Sequence, residues 1–354
     1  MATRTTHATT MEPSSSIRGW TRPNFRTARC LPSPSSCATP RRNRSATALR
    51  NRSRPERCEC SGLHSRVAHV QARLPGKAEL ARLFPLGRTD WDAVNKPDPA
   101  CTTVTWIGHA SFLVSVGGAT FLTDPVFSSR ASPLPFVGPW RYAPLPFGVA
   151  ELPPIDFVLI SHSHYDHLDL GSVLQLGNGP VWYVGLGLGS WFKAQGITNV
   201  VELDWWHSVE HRVGGSSVKV TATPSQHWSA RTPFDRMTTL WCSWHVQGAH
   251  SSFFFAGDTA LCPAFRQIRQ RLGPPTVAAL PIGAYLPRQF MRHHHASPQD
   301  AVEIHEDLGA QWSVGCHWGT LRQKALEHVA QPPRDLAAEL ARKGLPHSVF
   351  EVCV

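Results

Sequence analysis

Apolar and polar positions change rhythm near residue 100. Beyond it, Cys101–Ile107 and Ala110–Val116 read as strands, Gly117-Gly118 as a hairpin turn and Ala119–Thr123 as the returning strand. Asp156-Phe-Val-Leu-Ile160 carries a short, continuously apolar run, the pattern of a central strand covered on both faces. Further strand-like runs fall at 181–184, 200–203, 218–223, 240–246, 252–256 and 277–281. Helical spacing predicts helices over 261–272, 298–308 and 334–343, the second opened by Ser297 as N-cap and Pro298 in its first turn. Pro-rich stretches at 133–146 and 152–154 read as loops. Runs of strands with interspersed helices predict an α+β domain of two packed sheets with helices outside.

Residues 1 to about 65 show neither period and are too poor in apolar groups to fold alone. The chain therefore divides into a disordered Arg/Ser-rich tail, 1–65, and a folded domain, 66–354. The tail's acid-poor profile fits a chloroplast or mitochondrial transit peptide and equally an ordinary disordered extension, and it lacks the apolar core of a secretory signal. It also explains the net charge of +10: residues 1–60 hold twelve Arg, no Lys and three Glu, against 23 basic and 22 acidic residues in the remainder. A folded part so near neutrality lacks the basic surface of a nucleic-acid binder.

Nine cysteines follow no framework: Cys30, Cys37, Cys58 and Cys60 lie in the tail, and Cys101, Cys242, Cys262, Cys316 and Cys353 are scattered. This favours free thiols in a reducing, intracellular compartment, and Cys58-Glu-Cys60 has no second pair with which to make a metal site. No run of about 18 apolar residues is present, so membrane association is expected to be peripheral.

Candidate chemistry follows the central strand. Ser161-His-Ser-His-Tyr-Asp-His-Leu-Asp169 packs His162, His164, Asp166 and His167 into six residues. Alternate His162 and His164 project the same way from extended backbone, and a turn lets Asp166 and His167 face a second point, so one loop serves two ions. Imidazole and carboxylate suit zinc, and also iron and manganese. Four ligands do not fill two sites. His227, Asp258 and His317, each ending a strand-like run, complete the order His-x-His-x-Asp-His, His, Asp, His.

That order marks the metallo-β-lactamase superfamily, and other segments narrow the resemblance. Trp106-Ile-Gly-His-Ala-Ser111, Leu122-Thr-Asp-Pro125, Glu151–Asp156, Glu202–Trp206, Pro281–Tyr285 and His317-Trp-Gly-Thr320 resemble the N-acylphosphatidylethanolamine-hydrolysing phospholipase D family, from about residue 100 to 345. The resemblance implies an αβ/βα sandwich with two Zn²⁺ ions. His162, His164 and His227 would bind one, Asp166, His167 and His317 the other, and Asp258 both. Two cations so placed make a shared water acidic enough to attack phosphorus at neutral pH. The catalytic set is then Asp258, Asp166, His295 and Asp124, with Asp124 hydrogen-bonding a ligand histidine and His295 a general acid or phosphate donor. His109 matches the family too and reads as a structural hydrogen-bonding residue rather than a ligand.

Trp228 and Trp318, each following a ligand, are expected to stiffen the site, and Trp205-Trp206 to lie in the core. Gly185-Leu-Gly-Leu-Gly189 lacks the spacing of a phosphate-binding glycine loop. His245, His250, His305, His328 and His347 have no partner pattern. By resemblance the chain is a zinc-dependent phosphodiesterase of phospholipase D type, converting N-acylphosphatidylethanolamine to N-acylethanolamine and phosphatidic acid. Its partner is a phospholipid at a membrane surface, with the apolar loop Pro133–Phe147 a candidate lining, and a homodimer is open. The alternative is a soluble hydrolase on the same centre, a lactonase or a small-molecule phosphodiesterase. A non-catalytic metal-binding module is disfavoured by the complete ligand set.

Overall fold

A computed structural model describes residues 76–85, 87–134, 136–322 and 325–352. The tail 1–65, Cys30, Cys37, Cys58, Cys60 and Cys353 lie outside the described residues. Two short helices, α1 (Lys77–Leu83) and α2 (Trp91–Asn95), precede the first sheet. That sheet runs in chain order: β1 (Thr103–Gly108), β2 (Ser111–Val116), β3 (Ala119–Thr123), β4 (Phe157–Leu159), β5 (Val181–Gly185) and β6 (Val200–Leu203). β1, β2 and β3 pair antiparallel, and β3 to β6 are parallel. α3 (Leu170–Leu176) and α4 (Gly189–Ala194) cross between the parallel strands.

The second sheet is built from β7 (Ser208–Val213), β8 (Ser216–Thr223), β9 (Ser243–Gln247), β10 (Ser252–Phe255), β11 (Val277–Pro281), β12 (Trp312–Cys316) and β13 (Phe350–Val352), adjacent in that order. β7 to β10 form an antiparallel meander, and β10 to β13 run parallel. The parallel strands are linked through α5 (Ala264–Leu272), α6 (Arg288–Met291) with α7 (Pro298–Leu308), and α8 (Gln331–Arg342). α7 begins as expected: the Ser297 hydroxyl accepts from Asp300 N, the Asp300 carboxylate accepts from Ser297 N, and Pro298 occupies the first turn.

Three apolar clusters define four layers. Phe121, Phe157, Trp244, Phe253 and Val314 fill the space between the sheets. Leu122, Val158, Trp182 and Phe192 pack the outer face of the first sheet against α3 and α4. Phe254, Phe265, Val302 and Leu340 pack the second against α5, α7 and α8. Neighbouring residues on one strand, such as Phe253 and Phe254, thus enter different clusters, and both faces of the central strands are dry. The α+β sandwich is the expected one.

The pattern misses β7, whose residues alternate exposed and half-buried, and the short helices α1 to α4 and α6. It also misses β13, while β12 is the strand-like run expected to end at His317, and the strand expected from 240 begins at Ser243. Cys101 is disulfide-bonded, which corrects the expectation of free thiols there; Cys242, Cys262 and Cys316 are free. One bridged cysteine does not make the framework of a disulfide-stapled domain.

Phe253 is fully buried between the sheets, edge-on to Phe121 at 5.9 Å. Phe253→Ala should cost about 3–5 kcal/mol of stability, read as a fall in the urea midpoint at unchanged slope. A loss under about 1 kcal/mol would mean that the inter-sheet space closes around the gap.

Candidate metal centre

The parallel strands of both sheets end on one edge of the sandwich, and the chemical side chains sit on the turns that leave them. The loop after β4 carries His162, His164, Asp166 and His167. His227 follows β8, Asp258 follows β10 and His317 follows β12. Asp124 lies directly after β3, His109 in the β1–β2 turn and His295 in the segment after β11. All ten residues expected from the sequence meet at this edge.

Four overlapping groups of donor atoms form among the described residues, each with its ligand atoms within 4.8 Å of one another. His162, His164, His227 and Asp258 make the first, His109, Asp166, His167 and His317 the second, Asp124, His162 and His167 the third, and Asp258, His295 and His317 the fourth. In the first, His162 Nε2 lies 2.7 Å from His164 Nδ1, and His227 Nε2 is 3.3 Å from the same atom. Asp258 joins the groups: Oδ2 is 3.6 Å from His227 Nε2 and 3.2 Å from His167 Nε2, while Oδ1 is 3.0 Å from His317 Nε2. Despite this crowding, His164 Nε2 and His167 Nε2 are buried without a hydrogen-bond partner. Lone pairs aimed at common points and paired with nothing are what a cation resolves, so the residues fit a metal centre.

The electrostatics agree. Burial, together with neighbouring imidazoles, pushes His162 well below the usual histidine range, and burial likewise lowers His164 and His227, leaving neutral donors. Burial opposes the charge on Asp258, yet His167 and His317 hold its carboxyl well below the usual range. Asp258 in turn outweighs burial on His317, raising it to about 9. Protons crowd where positive charge is wanted.

Hydrogen bonds behind the donors fix their aim. Asp124, fully buried, accepts from Ser161 N at 2.7 Å through Oδ1. Its Oδ2 accepts from Ser161 Oγ at 2.5 Å and pairs with His167 Nδ1 at 2.6 Å, so Nε2 of His167 faces the centre. His227 Nδ1 donates to the His294 carbonyl at 2.8 Å. His109 Nε2 lies 3.1 Å from Asp166 Oδ2, and its backbone N donates to Thr320 Oγ1. His295 has a buried, unpartnered Nδ1 3.9 Å from Asp258 Oδ2.

The backbone is strained to achieve this. His109, Asp124 and His317 take positive φ of 56°, 34° and 60°, conformations that L residues rarely hold. Gly257, at φ 59°, lets the chain pass Ser161, whose Cβ would be 2.5 Å from an added methyl.

Several positioning residues carry no signal in the sequence. Arg231 Nη1 donates to the carbonyls of Ser163 and Leu168, at 2.9 and 2.8 Å, clasping both ends of the ligand loop. Its guanidinium also lies over the rings of Tyr165 and Trp191. No local motif announces an arginine that reaches across to another loop. Ser161 is visible in the sequence only as the residue before His162. Trp228 lies edge-on to His164 at 4.3 Å, whereas Trp318 stacks on Trp106, away from the donors. Trp205 and Trp206 pack against the core, and Gly185–Gly189 makes the turn from β5 into α4. His245 and His305 are buried away from the centre.

Asp124→Asn should weaken metal retention about 10–100-fold, because it removes the charge that holds His167 while keeping the shape. Competition with a chromophoric chelator measures this; unchanged retention would show that Ser161 alone positions the loop.

The chain is similar to known proteins. Residues 119–318 match the family described as Beta-lactamase superfamily domain. N-acyl-phosphatidylethanolamine-hydrolyzing phospholipase D 1 of Caenorhabditis elegans is 43% identical over 257 residues, covering 70% of this chain and 72% of that one. The mitochondrial N-acyl-phosphatidylethanolamine-hydrolyzing phospholipase D of Saccharomyces cerevisiae is 36% identical over 222 residues, 61% of this chain and 47% of the relative. Among solved structures, isothiocyanate hydrolase from Delia radicum gut bacteria aligns over 71% of this chain and 96% of its own, with a TM-score of 0.55 and 18% identity, a likeness of fold alone.

Proposed function

Because the chain belongs to the N-acyl-phosphatidylethanolamine-hydrolysing phospholipase D family of the metallo-β-lactamase superfamily, we propose that it hydrolyses an N-acylated ethanolamine phospholipid. Water adds to phosphorus, the bond from phosphorus to the ethanolamine oxygen breaks, and that oxygen leaves with a proton as N-acylethanolamine. Phosphatidic acid remains. The observation that carries this reading is the 43% identity to the worm phospholipase, on a chain whose Asp258 lies within 3.6 Å of histidines from both four-residue donor groups.

We assign two Zn²⁺ ions to the centre. His162, His164 and His227 would hold one, Asp166, His167 and His317 the other, with Asp258 shared. Cations there would supply an acidified water and positive charge against the phosphoryl oxygens. The chain's own groups do the rest. Asp124 and the His294 carbonyl hold His167 and His227 in the required tautomer and orientation. Asp124 touches no open part of the site, so its part in catalysis is to position His167. His109 steadies Asp166 through its Nε2. His295 presents its unpartnered Nδ1 toward the phosphodiester as a hydrogen-bond donor. Trp228 walls the His164 side and limits water.

No helix among the described residues is long and apolar enough to cross a membrane. We therefore place the protein at the lipid by peripheral contact. The yeast relative is named as mitochondrial, which favours an organellar role for the Arg-rich tail.

The test is turnover of N-acylphosphatidylethanolamine in mixed micelles by the full chain. Chelator should abolish release of N-acylethanolamine, zinc should restore it, and Asp258→Asn should lower turnover at least about 100-fold. Folded, metal-replete protein that leaves the lipid intact while cleaving a soluble ester or diester would refute the substrate assignment.

A further inference from the structure

His295 lies in the long connection between β11, which ends at Pro281, and α7, which begins at Pro298. Only the single turn of α6 interrupts that connection. The His295 ring sits between those of His227 and His317, at centroid distances of 5.1 and 5.3 Å. Its Nδ1 has no hydrogen-bond partner, so nothing at that atom sets where the ring points. The backbone must do so.

Both peptide units that flank the His295 Cα are held at both poles. In the first, the His294 carbonyl accepts from His227 Nδ1 and His295 N donates to Met291 O, each at 2.8 Å. In the second, the His295 carbonyl accepts from Arg288 Nη1 at 2.9 Å, and Ala296 N donates to Thr259 O at 2.7 Å. A peptide unit is planar, so partners on its two sides fix its tilt. Two fixed planes set φ and ψ at the Cα they share, and hence the direction of its Cβ. Two of the four partners are main-chain carbonyls and a third is the ligand histidine His227. The fourth is a side chain with no part yet assigned, Arg288.

Arg288 carries its position from α7. Its Nη2 donates to Asp300 Oδ2 at 2.5 Å, and the same oxygen accepts from Ser297 N at 2.9 Å. Asp300 stands in the first turn of α7, a helix anchored by the buried Val302, Ile304 and Leu308. A planar guanidinium that meets two acceptors at once leaves little freedom at either. Stability does not account for the pair. The Arg288 and Asp300 side chains are 34% and 20% exposed, and ion pairs that share water contribute little. The helix also keeps its cap without Arg288, because Ser297 and Asp300 satisfy each other's backbone N.

We propose that Arg288 is a positioning residue for hydrolysis, acting through His295 by fixing the peptide that aims the imidazole at the substrate. The proposal rests on the hydrolase reading and deepens it. A donor displaced by about 1 Å can cost about 100-fold in rate, so one hydrogen bond to the backbone behind it is consequential. Asp300 has the supporting part, since its charge keeps the guanidinium turned toward the helix.

The test is steady-state hydrolysis by the metal-loaded full chain as parent, Arg288→Gln, His295→Ala and the double variant, with metal content and melting temperature measured for each. Arg288→Gln should lower kcat about 10–100-fold, with KM within about two-fold and metal content unchanged. Arg288→Lys should recover part of the loss, because its ammonium still donates but lacks the fork. On the His295→Ala background, Arg288→Gln should change kcat by less than about two-fold. A second readout needs no turnover. The NMR signals of the His295 ring, identified by their loss from His295→Ala, should be one sharp set in the parent and broadened in Arg288→Gln. The proposal is overturned by a kcat within about two-fold of the parent, or by losses that multiply in the double variant. Lost metal or a lowered melting temperature that accounts for the loss overturns it too, as do unchanged ring signals. Failure to cleave N-acylphosphatidylethanolamine would show in the parent itself and sink the phospholipase reading alone. The variants would then be compared on the soluble ester or diester that the parent cleaves.

Discussion

A carboxylate almost wholly out of water, Asp258, sets the terms for this molecule. Isolated in the interior its charge would be prohibitive, so the fold surrounds it with five imidazole nitrogens within 3.9 Å, from His162, His167, His227, His295 and His317. Histidines that close repel one another once charged, and the arrangement is tolerable only with positive charge shared among them. The sandwich answers this constraint. Both sheets end their parallel strands on one edge, which lets loops distant in sequence converge on one point.

The convergence is legible in the sequence because its elements advertise themselves. Three histidines and an aspartate within six residues, directly after a continuously apolar strand, seldom occur outside a metal site. His227, Asp258 and His317 are recognisable from strand ends and from their order. The layered core is readable for the same reason: Phe157–Leu159 and Val277–Pro281 are apolar on both faces, as strands covered by a sheet and a helix must be. β7 is hidden because an edge strand with exposed alternate residues resembles a polar loop. The short helices are hidden because four to seven residues give too little periodicity to register.

The supporting contacts are a different matter. A ligand's chemistry is written in its own residue type, whereas a positioning contact is written in the relation between two loops. Arg231 looks like any surface arginine until the fold lays it across Tyr165 and beneath two carbonyls. Asp124 gains meaning from the family resemblance, but only the structure shows that it binds Ser161 and His167 together. The left-handed backbone at His109, Asp124 and His317 is equally invisible in composition, and it is sustained by hydrogen bonds such as that of His109 N to Thr320.

The division of the donors between the sheets bears on how the protein is made. A growing chain presents His162 to His167 long before His317 emerges from the ribosome, and at that stage the four residues form a local loop with no counterpart. The second donor group is complete only after β12 has been synthesised and the second sheet has docked on the first. Neither four-residue donor group is therefore complete until loops from both sheets have met.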